Sequence, residues 1–380
     1  MQITAVEAIP LSHSLEEGGS FGSSRGKTPV RTTTLVRLET DDGLVGWGEA
    51  FAPPRTVATL VEEVFADSVV GASPYDVETL AERTYAGEIG GYHFGRSAFY
   101  RCALSGIDIA CWDLLGKATG EPIHRLLGGG EIDSVVPYAS SGYVTEWGQD
   151  INEPMREAAA EGFTATKIKI GTGFEDDVER VAAAREHLGE DAHVMVDFNG
   201  NYTPKQVMRA AKRLEKYDLT WIEEPVAPEN LSGYRQLRGT VDVPIAAGEA
   251  HFSRYQFKQL IDDRLVDVVQ PNIGRVGGFT EGQFVSKLAA SENVATCPHV
   301  WNGGVGVAAA LQFLASLPTY PHTDHVPEPP LFEFDRSENP LREDLLVEPF
   351  DPTGGSLAVP QGPGLGIEVD EEAVERFRVA

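Results

Sequence analysis

Three carboxylates, Asp197, Glu223 and Glu249, follow one another at equal intervals of 26 residues. Each closes a short apolar run, and the neighbouring runs also end in polar groups: Lys167-Ile168-Lys169, Asp197-Phe198-Asn199, Glu223-Glu224-Pro225, Gly248-Glu249, Gln270-Pro271-Asn272 and Pro298-His299. A lone acidic residue at such a point is most often a helix cap or a solvated loop charge. Three brought side by side repel strongly unless a cation neutralises them. Hard oxygen ligands select Mg2+, with Mn2+ as a substitute, over zinc, and Mg2+ keeps positions open for water and substrate oxygens.

Lys167 and Lys169 sit two residues apart, so in a strand their side chains share one face while Ile168 and Ile170 take the other. A buried parallel strand normally reads as a continuous apolar run. An exposed edge strand would carry lysines to block pairing, but this chain has only nine lysines, so two on one face call for another reason. Beside a metal, one ammonium neutralises substrate charge and the other, with a lowered pKa, acts as a base. His299 would face them as a general acid or base, or sit as a buried histidine satisfied by a neighbour.

The elements that must position these groups are readable too. Candidate strands are Val135–Ala139, Ala165–Ile170, His193–Phe198, Leu219–Glu223, Val243–Ala247, Val266–Gln270 and Ala295–Pro298. They alternate with helical stretches such as Asp177–Leu188, Pro204–Tyr217, Arg254–Asp263, Thr280–Glu292 and Val305–Leu317. Such alternation means parallel strands joined by crossover helices, and seven or eight units predict an α/β fold of the (β/α)8, TIM-like barrel type. Active groups in such barrels lie at the C-terminal strand ends, where all the residues above fall. A doubly wound sheet would need a glycine fingerprint opening a helix after its first strand, and none is present.

Upstream, Ile3, Val6 and Ile9 begin a strand, Glu16–Lys27 is polar and glycine-rich, and Thr32–Thr40 and Val45–Glu49 alternate around the turn Asp41-Asp42-Gly43. A helical pattern then runs to about Gly130, with Ala103, Ile107, Ala110, Cys111 and Leu114 on one stripe. The expected division is an α+β capping domain over residues 1–130, a barrel over 131–350, and a tail, 351–380, that returns to the cap.

Asp and Glu number 58 against 31 Lys and Arg, a net charge of −27. That excess argues against nucleic-acid or anionic-membrane partners, which need basic patches. It resembles the acidic, halophilic surfaces whose self-repulsion high salt screens. Cys102, Cys111 and Cys297 are too few and too scattered for a disulfide framework or a zinc site. With no apolar targeting core or membrane-length run, the expected location is the cytoplasm.

With these residues in view, the chain resembles the enolase superfamily, mandelate racemase-like branch. The resemblance is carried by Ala103-Leu104-Ser105-Gly106-Ile107-Asp108, Lys167-Ile168-Lys169-Ile170-Gly171, Glu223-Glu224-Pro225 and Gly277-Gly278. The C-terminal part is similar to galactarolactone and anhydrogalactonate cycloisomerases through Pro298-His299-Val300-Trp301, Ala308–Phe313, Glu333-Phe334-Asp335-Arg336 and Gly362–Glu368. The resemblance implies a homo-oligomeric enzyme acting on a sugar acid or its lactone. In that reading Asp197, Glu223 and Glu249 hold Mg2+, Lys169 or His299 removes the proton α to a carboxylate, Lys167 stabilises the enediolate, and the β-oxygen leaves. Asn199, Glu224, Asn272, Glu333 and Trp301 are expected at or behind the site, and Tyr92 and His93 in a cap segment facing it. The branch usually carries aspartate where this chain has Asn272. An amide can orient His299 but supplies no charge, which weakens a two-base racemase and favours a one-base elimination. An acid-sugar dehydratase, then an epimerase, are the neighbouring readings. A metal-binding barrel without catalysis is the reading of a different class.

Overall fold

The computed structural model describes residues 1–15, 21–130, 132–144, 150–318 and 330–379. Glu16–Ser20, the first part of the polar, glycine-rich stretch, lie outside the described residues. Strands β1 (Ile3–Ser14), β4 (Val30–Thr40) and β5 (Val45–Ala50) form an antiparallel sheet in the order β1-β4-β5, and β2 (Phe21–Ser23) and β3 (Gly26–Thr28) form a separate small hairpin. The helix Phe99–Thr119 lies on β5 because the strand presents glycine where the helix is nearest. A Cβ on Gly48 would fall 1.9 Å from the Gly106 carbonyl oxygen, and one on Gly46 2.4 Å from that of Ala110. Only glycine admits this approach.

Eight parallel strands follow: β6 (Ser134–Ser141), β7 (Ala165–Lys169), β8 (His193–Asp197), β9 (Trp221–Glu223), β10 (Ile245–Ala247), β11 (Val268–Val269), β12 (Ala295–Thr296) and β13 (Leu331–Asp335). Their order runs β12-β11-β10-β9-β8-β7-β6-β13, each next to its neighbour in sequence except that β13 returns to β6. Between β12 and β13, Cys297 Sγ donates to the Leu331 carbonyl at 3.2 Å and the Val300 N–H to Glu333 Oε2 at 2.8 Å. This is the (β/α)8 barrel the alternation predicted. Its paired segments are shorter than the apolar runs in the sequence, since several runs continue past the last ladder hydrogen bond into the loops.

One apolar cluster draws a residue from every strand unit: Tyr138, Ala165, Met195, Trp221, Ala246, Val268, Cys297 and Leu331. These fill the barrel interior as a packed layer. Two residues further along β7 on the same face comes Lys167, and then Lys169, while Ile168 and Ile170 join the outer core with the helices. The lysines thus rise in sequence from a dry floor toward the open end of the barrel.

The tail touches both parts of the molecule. Strand β14 (Leu357–Ala358) pairs antiparallel with β6 through Leu357 and Val135. Beyond it, Asp113 Oδ1 on the long helix accepts from the Leu365 N–H at 2.9 Å. The helix Glu371–Phe377, capped by Asp370, brings Arg378 to a bridge with Leu11 of β1. All three cysteines are free and buried. Among the described residues, no helix is long and apolar enough to cross a membrane.

Candidate active site

Parallel register sets the chemistry side by side. Lys169 lies opposite Asp197, and Asp197 opposite Glu223, on adjacent strands. Glu249 follows β10 on the loop. Single ligand atoms from Asp197, Glu223 and Glu249 lie within 4.8 Å of one another. Two of the three are held by hydrogen bonds. Asp197 Oδ1 accepts from the Asn199 N–H at 2.7 Å and Oδ2 from Asn199 Nδ2 at 3.0 Å. Glu223 Oε2 accepts from Gln270 Nε2 at 2.6 Å and Trp221 Nε1 at 3.2 Å. Asn199 and Glu224 adopt positive φ, 45° and 38°, so the chain bends sharply just past each ligand.

The lysines interleave with this ring. Lys167 Nζ lies 2.5 Å from Glu223 Oε1 and 2.7 Å from Glu333 Oε1, and Lys169 Nζ lies 2.5 Å from Asp197 Oδ2. Burial alone would pull both ammonium pKa values down, but the carboxylates reverse this and hold both above the ordinary lysine value, led by Glu223 for Lys167 and Asp197 for Lys169. The carboxyl groups show the opposite strain. Burial, joined by the other acids of the ring, raises Glu223 and Glu249, and raises Glu224 further. Glu224 Oε1 and Glu249 Oε2 are buried without a hydrogen-bond partner among the described residues. A ring so crowded with acid, and with oxygen atoms left over, fits a divalent cation with oxygen ligands.

Across the barrel, His299 Nδ1 accepts from Asn272 Nδ2 at 2.9 Å, and the same amide donates to Asn302 Oδ1 at 2.8 Å. The other ring nitrogen lies 3.5 Å from Glu249 Oε2. Burial pushes the imidazole down to about 4 despite nearby acids, so the ring is held neutral. Glu333 lies beneath. Burial works to raise its carboxyl, but the Lys167 ammonium beside it outweighs burial and brings it to about 2. It therefore stays a carboxylate pinned between Lys167 and the Val300 N–H.

A cavity of about 250 Å³ opens over this face. Its barrel wall includes Lys169, Glu249, His299 and Trp301, and Lys169 Nζ sits 5.4 Å from the Trp301 ring centroid. Its roof comes from the cap, chiefly Phe21, Thr28 and Phe51. The β2–β3 hairpin is latched down by Ser24 Oγ on the Phe198 carbonyl at 3.0 Å and by Arg25 on the Asn199 carbonyl. Tyr92 and His93 are not brought to this cavity. They sit on the short helix Gly91–Phe94, stacked edge to face on each other and exposed, with Tyr92 74% accessible, so neither core packing nor the cavity claims them. Sequence reasoning missed four of its walls: Thr28, Phe51, Tyr143 and Arg275. None lies on a strand-end pattern; Arg275 had one weak signal, a lone cation inside the glycine-rich Gly274–Gly278 turn.

The sequence matches the family description "Mandelate racemase / muconate lactonizing enzyme, N-terminal domain" over residues 21–128 and "Enolase C-terminal domain-like" over residues 150–373. The chain belongs to the mandelate racemase / muconate lactonizing enzyme family. It is an enzyme of the enolase superfamily. It is 38% identical over 382 residues to the D-galactarolactone cycloisomerase of Agrobacterium fabrum (strain C58), covering 100% of this chain and 99% of that one. The solved 3,6-anhydro-D-galactonate cycloisomerase from Zobellia galactanivorans superposes with a TM-score of 0.88 at 32% identity, covering 100% of both chains. A racemase from Streptomyces coelicolor A3(2) with bound magnesium superposes with a TM-score of 0.85 at 28% identity, covering 99% of this chain and 100% of that one.

Proposed function

We propose that this member of the family abstracts the proton α to a carboxylate in a sugar acid or sugar-acid lactone and then eliminates the β-oxygen, as a cycloisomerase that opens a ring to a keto acid. One observation carries the reading: two lysines on a single interior strand face meet three carboxylates, Asp197 and Glu223 buried and Glu249 half-buried, close enough to share one ion. Asp197, Glu223 and Glu249 would hold Mg2+, whose charge would neutralise the ring, bind the substrate carboxylate, acidify the adjacent carbon and release Lys169 from Asp197.

Lys169, at the cavity wall, then takes the proton through Nζ. Lys167 lies deeper and remains charged between Glu223 and Glu333, where its ammonium faces the enediolate without giving up a proton. His299 Nδ1 is satisfied by Asn272, which leaves Nε2 as the hydrogen-bearing nitrogen pointed toward Glu249 and the cavity. That arrangement orients a substrate oxygen but does not make a second strong base. Trp301 and the roof of Phe21 and Phe51 exclude water from the reacting carbons. We further propose a cytoplasmic homo-oligomer.

The test is an NMR screen of acid sugars and their lactones with Mg2+ in D2O. The expected result is a keto-acid product of unchanged formula apart from isotope, with deuterium at the former β-carbon, where the enol takes up a solvent proton. A product lighter by one water would make it a dehydratase, and inverted substrate an epimerase. Binding without any exchange would leave only a metal-binding barrel.

A further inference from the structure

One helix of the barrel runs against the charge of the whole chain. Net charge is −27, yet the helix Pro204–Leu214 and the turn Glu215–Tyr217 that extends it carry Lys205, Arg209, Lys212, Arg213 and Lys216, with no acidic residue from 204 to 214. At 3.6 residues per turn the five fall on one face about 100° wide. All five are exposed, while Val207, Ala210 and Leu214 on the opposite side are buried. Among the described residues none of the five makes an ion pair, whereas exposed cations on the next helices do: Arg238 with Asp267 at 2.7 Å, Arg235 with Asp263 and Lys258 with Asp262. Arg209 and Arg213 instead lie over the Phe174 ring, 4.5 and 4.8 Å from its centroid, so the stripe is held in place without being neutralised.

The complementary surface is on the cap. Glu62 and Glu63 on the turn Val61–Phe65, Asp67 on Ala66–Val69, and Asp76 and Glu78 just beyond are exposed, and among the described residues none of them has an ion pair. Val70 and Tyr75 stand exposed among them, at 45% and 62%. An acidic rim around apolar side chains matches a basic stripe around the half-buried Phe174 ring, the make-up of a contact with an apolar centre and a polar edge. Two molecules of charge −27 repel, so copies meet most readily where the local sign is reversed. A nucleic acid or an anionic membrane would reach the same five cations only against the field of the remaining surface.

We propose that this stripe seats the acidic cap face of a second copy of the chain. This seating rests on the homo-oligomer reading above and gives it a defined pair of surfaces. The two faces come from different parts of the chain, so the contact is head-to-tail, and successive copies build a ring where its rotation closes. Neither face includes a residue of the reaction cavity. Assembly and chemistry can therefore be read separately.

Sedimentation velocity across a dilution series in about 0.15 M KCl reads the assembly; the screening length there is about 8 Å, which damps repulsion between whole molecules and spares contact pairs. K205E/K212E/K216E leaves Arg209 and Arg213 on Phe174, and E62K/E63K/D67K lies wholly on the cap. Each should raise the dissociation constant about 100-fold or more, because opposite charges across the contact become like charges. The cap variant should dissociate even though it is less acidic than wild type, the reverse of what general charge repulsion would do. Mixed one to one, the two variants should reassemble to within about tenfold of wild type, since a native stripe then meets a native cap and a reversed stripe meets a reversed cap. Should a reversed variant not fold, K205Q/K212Q/K216Q or E62Q/E63Q/D67N takes its place, with about tenfold weakening expected. An oligomer that neither set of changes disturbs, or dispersed variants that stay dispersed when mixed, overturns the assignment and leaves the oligomer reading intact. Tight binding of a fluorescent oligonucleotide or of anionic vesicles, abolished by K205E/K212E/K216E, would give the stripe to a polyanion instead. A wild type that stays monomeric throughout the series sinks the oligomer reading itself.

Discussion

Glu49, on the last strand of the N-terminal sheet, accepts the Gly303 N–H at 2.6 Å although the two residues are 254 positions apart. Its second oxygen takes the Gly306 N–H at 2.7 Å, and Thr33 Oγ1 adds 2.8 Å to the first. The cap therefore supplies the N-terminal carboxylate for the barrel helix Gly304–Ala315, at the end of the loop that carries His299, Trp301 and Asn302. Glu49→Ala leaves two buried N–H groups without acceptors. It should destabilise the protein by about 1–3 kcal/mol in urea unfolding, with Glu49→Gln intermediate. Equal midpoints for wild type and Glu49→Ala would show that this joint carries no load.

The proton-abstracting role assigned to Lys169 is separable from the charge role of Lys167. Lys169→Met should lose turnover by about 100- to 10,000-fold together with α-exchange in D2O, the range typical of general-base removal. Retained exchange in Lys169→Met would move the base elsewhere, His299 being next in reach.

Metal binding should be visible without turnover. At an Mg2+ concentration 100 times its dissociation constant, linkage predicts about 2.7 kcal/mol of added stability. A thermal or urea melt with and without Mg2+ reads this directly. Glu249→Gln should abolish most of the increment, and an increment unchanged in that variant would place the ion away from the triad.

One buried acid outside the site predicts a pH slope. Asp108, on the long helix, is pushed up to about 7 from 3.8, chiefly by burial, despite an N–H bond from Thr280 at 3.2 Å. Below pH 3.8 both folded and unfolded chains hold this proton, and above about 7 neither does. Between those values the folded chain holds it and the unfolded chain releases it. Wild-type stability therefore falls as pH rises through the window, by up to about 1.4 kcal/mol per pH unit from this group. Asp108→Asn lacks that slope, so the variant should gain on wild type between pH 5 and 7 in paired urea titrations.

The charge of −27 predicts a salt response. Raising ionic strength from 0.1 to 1 M shortens the screening length from about 10 to about 3 Å and relieves surface repulsion. The melting temperature should climb steadily in KCl. A flat or falling curve would argue against the halophilic reading.

How much of this was legible beforehand depends on which contacts made it. The lysines and the acidic triad lie on strands or, for Glu249, just past one, where a two-residue alternation and a constant unit length convert sequence spacing into position. Lys167, Lys169, Asp197, Glu223 and Glu249 could be placed together on that basis. The roof could not. Phe21 and Phe51 reach the cavity through cap-to-barrel packing, and Glu49 through a bond spanning most of the chain; no local period encodes either. Arg275 sits on the short helix Ile273–Val276, placed by Gly277 and Gly278 docking on Ser105, a contact across 172 residues for Gly277. Tyr92 and His93 went the other way: the resemblance implied a cap segment facing the site, but on the short helix carrying them both side chains are exposed.

The closing helix against β1 constrains the order of manufacture. Leu357 must find Val135, and Arg378 must find Leu11, so the outer side of β1 waits for residues 357–378 to be synthesised. A nascent chain stalled before them would hold all eight barrel strands but leave the edge of β1 uncovered, exposed to chaperones or to a neighbouring copy until release.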